Sequence, residues 1–225
     1  MVRHLYRAVT CVCLLLVASP CLLAQELRLT PAVALERLKD GNARFAADTQ
    51  AAKDIGNKRR TELARGQHPF AVILSCADSR IVPEWLFDQG LGDLFVLRIA
   101  GNVAEQGMLA STEYAVEHFH VPLIVVLGHD RCGAVQAAVD GKPLPGHLGW
   151  LVKQVFTGDN LPAGKPEAVA AAIRANAIHQ AEALTRKSPE LKELMDHKRV
   201  QVVAGVYSLA TGKISWSDVP EPKRP

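Results

Sequence analysis

Two stretches of this chain are apolar and largely β-branched, and each stops abruptly on a polar cluster. No other feature restricts the fold as much. Phe70, Ala71, Val72, Ile73, Leu74 and Ser75 lead into Cys76, Ala77, Asp78, Ser79 and Arg80. Leu123, Ile124, Val125, Val126, Leu127 and Gly128 lead into His129, Asp130, Arg131, Cys132 and Gly133. Short, nearly unbroken apolar runs are the mark of strands buried on both faces, as in a parallel sheet. The carboxyl ends of such strands line the ligand crevice. Two thiols, an imidazole and a carboxylate are therefore expected at one edge.

The rest of the chain alternates between helical and extended patterns. Thr30 and Pro31 open a helix as hydroxyl N-cap and first-turn proline. Val33, Leu35, Leu38 and Phe45 give it an apolar side, and Gly41 weakens its middle. Residues 48–60 are polar and expected as loop, with a short helical turn at 61–65. Further helices are expected at 83–87, 108–119, 132–139, 147–156, 166–185 and 189–195. In 108–119, Leu109, Tyr114, Ala115 and Phe119 are available for burial. Residues 94–99 and 199–207 read as strands. Thr211 and Gly212 make a hairpin-like turn into a short antiparallel edge at 213–216. The expected architecture is α/β in a single domain: a central, mostly parallel sheet of about four parallel strands plus an antiparallel edge strand, flanked by helices.

The first 24 residues read as a signal peptide. Arg3, His4 and Arg7 form a basic n-region, and 12–18 and 21–24 are apolar, with cleavage expected after Ala24. A lipoprotein signal at Cys21 is disfavoured by Pro20 and Ala18. A retained anchor is disfavoured by the short apolar run that Pro20 interrupts. Residues 25–225 then form the domain, with an N-terminal helical arm at about 30–46, in a periplasmic or secreted protein with no membrane attachment after signal removal. The net charge of +3 is too small to argue for nucleic acid.

Removing the signal takes Cys11, Cys13 and Cys21 with it and leaves Cys76 and Cys132. A disulfide is the plain reading of two cysteines in an oxidising compartment. It leaves Asp78, Arg80 and His129 without a role. Zinc uses them all: thiolate and imidazole suit its tetrahedral shell, and three protein ligands leave one position open for water. Asp78 is able to close that shell as a fourth ligand, which gives an inert structural site. Paired with Arg80 through two parallel hydrogen bonds, it turns away from the metal and accepts from the bound water instead. Zinc brings the pKa of such a water to about 7 in favourable sites, although two thiolates blunt the effect.

At these residues the chain resembles the β-class carbonic anhydrases. The Cys-x-Asp-x-Arg and His-x-x-Cys pair carries the likeness, which extends from about Thr30 to Trp216. The resemblance implies a zinc enzyme that converts carbon dioxide reversibly to bicarbonate and a proton by way of zinc-bound hydroxide. It implies Cys76, His129 and Cys132 as Zn2+ ligands, and Asp78 and Arg80 as a dyad in which the aspartate either binds zinc or pairs with arginine. Gln67 stands where the family places a glutamine that meets substrate across a dimer interface. Phe95 and Tyr114 stand where many members line the pocket, and Gly133 where a backbone N–H meets the bound oxyanion. Ile73, in place of a tryptophan, matches the open branch of the family. His68, His118, His120 and His147 are candidates to relay the proton. The family implies a homodimer or homotetramer. Alternatives are a related hydrolase of carbon disulfide or carbonyl sulfide, and an exported zinc-binding relative without turnover.

Overall fold

Every residue of β1 (Ala71–Ser75) and β3 (Leu123–His129) is buried, because these strands lie side by side in the middle of a five-stranded sheet. The computed structural model describes residues 29–53, 55–158 and 166–219; the expected signal segment lies outside them. The strand order is β2-β1-β3-β4-β5, where β2 is Leu94–Arg98, β4 is Gln201–Tyr207 and β5 is Ile214–Asp218. The first four strands run parallel and β5 pairs antiparallel with β4, as the sequence pattern leads one to expect. After β1 the chain moves to β2 on one side, then returns to place β3 on the other. That reversal opens a crevice at the carboxyl ends of β1 and β3. Ser75 pairs with Leu127, so Cys76 and His129 leave their strands as near neighbours.

The helices are α1 (Pro31–Ala46), α2 (Asn57–Leu63), α3 (Pro83–Leu86), α4 (Gln106–Phe119), α5 (Gly133–Asp140), α6 (Gly146–Val152), α7 (Pro166–Lys187) and α8 (Pro189–Asp196). Strand side chains alternate between two apolar layers. Val72, Leu74, Ile124 and Val126 pack with Ala115 and Val116 of α4 and with Ala177, Ala181 and Leu184 of α7. Ala71, Ile73, Leu123 and Val125 pack with Ala34 and Leu38 of α1, with Leu86 of α3 and with Phe87. Each such buried leucine or isoleucine contributes on the order of 1.5–3 kcal/mol.

The first helix lies on its own chain. Thr30 caps it by accepting from the Val33 N–H at 3.3 Å. A Cβ on Gly41 would stand 1.8 Å from the Phe87 carbonyl oxygen, so the glycine that lowers helix propensity is what lets α1 close onto the segment after α3. Asn42 is buried beside it. Its amide donates to the carbonyls of Leu86 at 3.1 Å and Gly212 at 2.8 Å, and its oxygen accepts from the Ile214 N–H at 2.9 Å. On the apolar side of α1, Leu38, with Leu35 and Phe45 packed beside it, covers this chain's own core, while Val33 stays exposed.

Other boundaries shift for local reasons. The segment expected as loop up to residue 60 is helical from Asn57, where Thr61 donates to the Asn57 carbonyl and Arg59 reaches the Leu91 carbonyl. The helix expected over 147–156 stops at Val152, because the Phe156 N–H is taken by the Asn176 side chain. Tyr114, expected to be buried, is 48% exposed; Thr112, Ala115 and Val116 form the buried side of α4.

Candidate metal centre

The ligand atoms of Cys76, His129 and Cys132 all lie within 4.8 Å of one another, and the three residues are almost wholly buried. Cys76 follows the last residue of β1, His129 ends β3, and Cys132 is the N-cap of α5. Two parallel strands and one helix start supply the set without any long loop. Arg131, between the second and third ligands, takes a left-handed backbone with φ 53°, and this turns the chain back so that Cys132 rejoins His129. The two thiols are free, not joined in a disulfide.

The donor set fits a cation. His129 Nδ1 lies 2.9 Å from the Asp130 carbonyl oxygen, which only accepts, so Nδ1 carries the proton and Nε2 a lone pair. Nε2 is buried with no hydrogen-bond partner. An orphaned acceptor in a dry pocket is costly, unless a metal takes it. The two thiols interact directly, which pulls Cys76 far down and pushes Cys132 up. Burial pulls His129 down, yet the neighbouring Cys76 sulfur outweighs it and leaves it raised. The lowered Cys76 is a thiolate, whose charge both keeps the neighbouring Cys132 protonated in the absence of a cation and draws a cation to the site; soft thiolates with an imidazole suit zinc.

Asp78 is held by Arg80. The guanidinium donates from Nε to Oδ1 at 2.9 Å and from Nη2 to Oδ2 at 2.7 Å, and the Arg80 backbone N–H donates to Oδ1 at 3.0 Å. These bonds hold the carboxyl well below the usual carboxylate range. The carboxylate is thus in its arginine-paired position, and Oδ2 stands 3.9 Å from His129 Nε2. Arg98 braces the turn itself, donating to the Cys76 carbonyl at 3.2 Å and the Asp78 carbonyl at 2.6 Å.

Gly133 begins α5 and lines a cavity of about 510 Å³ with Asp130, Arg131, Gln136 and Ile173. Gln67, Phe95 and Tyr114 lie elsewhere. Gln67 precedes β1, and Phe95 is the second residue of β2, paired with Val72. In a parallel sheet this is the amino end, opposite the ligand cluster. Gln67 and Tyr114 line one cavity of about 730 Å³ with Leu63, Leu91 and Phe119, and the Phe95 and Tyr114 rings are 6.4 Å apart. Within one chain these three residues gather with each other and not with the metal ligands.

One contact to the centre carries no motif. The Gly101 N–H donates to Cys76 Sγ at 3.4 Å. The only sequence signal was a Gly–Asn pair closing a strand, and that specifies a turn without naming what the turn touches.

The family profile described as carbonic anhydrase matches residues 71–214. The carbonic anhydrase of Mycolicibacterium smegmatis is 39% identical over 191 residues, covering 82% of this chain and 92% of that protein. The solved β-carbonic anhydrase of Aspergillus fumigatus is 30% identical with a TM-score of 0.66, over 85% of this chain and 92% of that one. A structure from a report on two tetrameric β-carbonic anhydrases of Sordaria macrospora is 25% identical with a TM-score of 0.61, over 71% of this chain and 86% of that one.

Proposed function

The chain belongs to the β-class carbonic anhydrases, and on that premise we propose what its own residues do in the reversible hydration of carbon dioxide to bicarbonate and a proton. The observation that carries the assignment of roles is the convergence of three buried ligand atoms beside a carboxylate held aside by arginine. Cys76 Sγ, His129 Nε2 and Cys132 Sγ hold zinc. When bound, zinc supplies a Lewis acid that acidifies water at its open position.

Asp78 is the hydrogen-bond acceptor that orients the attacking water. Oδ1 receives two bonds from Arg80 and Oδ2 only one, so Oδ2 keeps a free lone pair on the side of His129. Because Arg80 keeps it ionised, Asp78 accepts and never donates. It therefore tolerates product only with the bicarbonate hydroxyl turned toward it, and repels a bare oxyanion. The Gly133 N–H meets the developing negative oxygen.

Gln67, Phe95 and Tyr114 act on the partner's centre in a homodimer. Three things support this: their grouping at the far end of the sheet, the half-exposed ring of Tyr114, and the exposed Leu91 on the same cavity. Gln67 supplies a polar contact to the product, and the aromatic rings a wall for an apolar substrate. Pairing of dimers into a tetramer accords with the tetrameric relatives from Sordaria macrospora. The N-terminal 24 residues direct export and are cleaved; among the described residues no helix is long and apolar enough to cross a membrane.

Stopped-flow hydration of carbon dioxide by the mature protein, with zinc and free thiols counted on the same sample, tests the reading. One zinc per chain and rapid hydration are expected. Fewer free thiols than the two of Cys76 and Cys132, with no zinc, would sink it. Amino-terminal sequencing of protein recovered from the cell envelope tests export, and a chain that still begins at Met1 would refute cleavage.

A further inference from the structure

Gly101 joins the metal centre to a helix that supplies no ligand. It lies in the 3-10 turn Ala100–Asn102 between β2 and α4, with φ 74°, a backbone open to glycine at no steric cost. Its N–H donates to Cys76 Sγ at 3.4 Å, and its carbonyl accepts from Asn176 Nδ2 at 2.8 Å. The two bonds bracket the one residue of the turn whose backbone rotates most freely.

Asn176 is fully buried on α7 and is itself fixed. Its oxygen accepts from the Phe156 N–H and from Gln180 Nε2, both at 3.0 Å. Gln180, one helical turn on, donates to the Gln154 carbonyl at 2.8 Å and accepts from the Ala104 N–H at 2.9 Å. One face of α7 thus clamps the turn at residues 101 and 104. The fit is tight: a Cβ on Gly101 would meet Val155 Cγ2 at 3.0 Å and Ala134 Cβ at 3.3 Å.

A hydrogen bond donated to a thiolate withdraws electron density from sulfur, and that sulfur then gives less to its metal. Such outer contacts tune a metal as ligand identity does. Here the need is specific, because two thiolates already offset much of the ion's charge. We propose that Asn176 is a positioning residue: it holds the Gly101 amide on Cys76 Sγ and so keeps the metal a strong Lewis acid. The inference rests on Cys76, His129 and Cys132 as the metal ligands.

Cobalt(II) in place of zinc makes the sulfur–metal bond visible as a thiolate-to-metal absorption band. Asn176→Ala frees the turn, raises the energy of the sulfur lone pairs and moves that band to longer wavelength. The zinc form loses about 10-fold in kcat with KM unchanged. Leu191→Ala, buried in α8 among the Val72 and Leu184 cluster and outside the cluster that holds Cys76 and Cys132, lowers Tm and leaves the band where it was. A band unmoved in Asn176→Ala, or moved equally in both variants, overturns the inference. Should Asn176→Ala not fold, the parent protein loaded with NMR-active cadmium decides. Scalar coupling between the Gly101 amide proton and cadmium, through Cys76 Sγ, bears the inference out, and no coupling at that amide overturns it. A parent protein with no thiolate-to-cobalt band at all strikes the ligand set itself and the inference with it; a band that is present but unmoved strikes only the role of Asn176.

Discussion

The two ends of the sheet are built to different standards. At the carboxyl end, three ligands are buried to within a few per cent, the neighbouring acid is held by three hydrogen bonds, and the turn between them is braced by Arg98 and Gly101. At the amino end, Gln67, Leu91 and Tyr114 face an open cavity of about 730 Å³. The ligand set of the first end is complete within one chain. The second spends aromatic surface on solvent, which folding alone does not reward, and so makes sense as surface for a second copy.

The largest test of that contrast is His129→Ala. It should abolish zinc binding and lower turnover by at least about 10³-fold, since a catalytic metal contributes several kcal/mol. A variant that keeps stoichiometric zinc would break the claim that the carboxyl end needs all three ligands. Next is Asp78→Asn, expected to cost about 10²-fold in kcat with zinc content unchanged. Loss of zinc in that variant would move Asp78 into the ligand set.

The amino end is tested by mixing. Gln67→Ala and His129→Ala chains, each weak or inactive alone, should on co-refolding recover about a quarter of parental turnover. Half the dimers are then hybrids, and each hybrid carries one whole site. No recovery would confine Gln67 to its own chain. A smaller effect separates α1 from this picture. Asn42→Ala should cost about 1–3 kcal/mol in a denaturant titration, because buried backbone groups at Leu86, Gly212 and Ile214 lose their partner. The loss should not vary with protein concentration; if it does, α1 belongs to the interface.

The smallest effect is a pH dependence on the link into β2. Burial raises the Asp88 carboxyl, but hydrogen bonds from Lys53 and Arg44, at 2.8 and 2.6 Å, outweigh it and leave it lowered. A carboxyl lowered on folding adds stability above its unfolded pKa of about 3.9, and that stability is lost as pH falls through the folded value. Parent and Asp88→Asn should therefore differ in urea midpoint at neutral pH and converge below about pH 4. A constant difference across that range would mean that the ion pairs contribute nothing.

Much of the carboxyl end was legible beforehand. Cys76, Asp78 and Arg80 are local to one turn, and the apolar runs that precede the two clusters bring them to one edge in any parallel sheet. The exposure of Tyr114 was opaque for the opposite reason. An amphipathic pattern says that a helix has an inner side, but an aromatic residue near its border is assigned by what packs there, and on α4 smaller residues do. Gly41 and Asn42 were equally opaque. One looked like a weak point and the other like an ordinary polar residue until Phe87 and Ile214 were in place around them.

Composition and local order thus determined which residues form strands, where those strands stop, and what chemistry waits at their ends, because side-chain alternation and strand length are short-range properties. The fold alone decided that Asn176, seventy-five positions from Gly101, answers its carbonyl, and that Gln67 and Tyr114 turn away from their own metal ligands. Contacts between distant parts of a chain depend on how layers stack and which edge of a sheet is left uncovered, and no window of sequence contains that information.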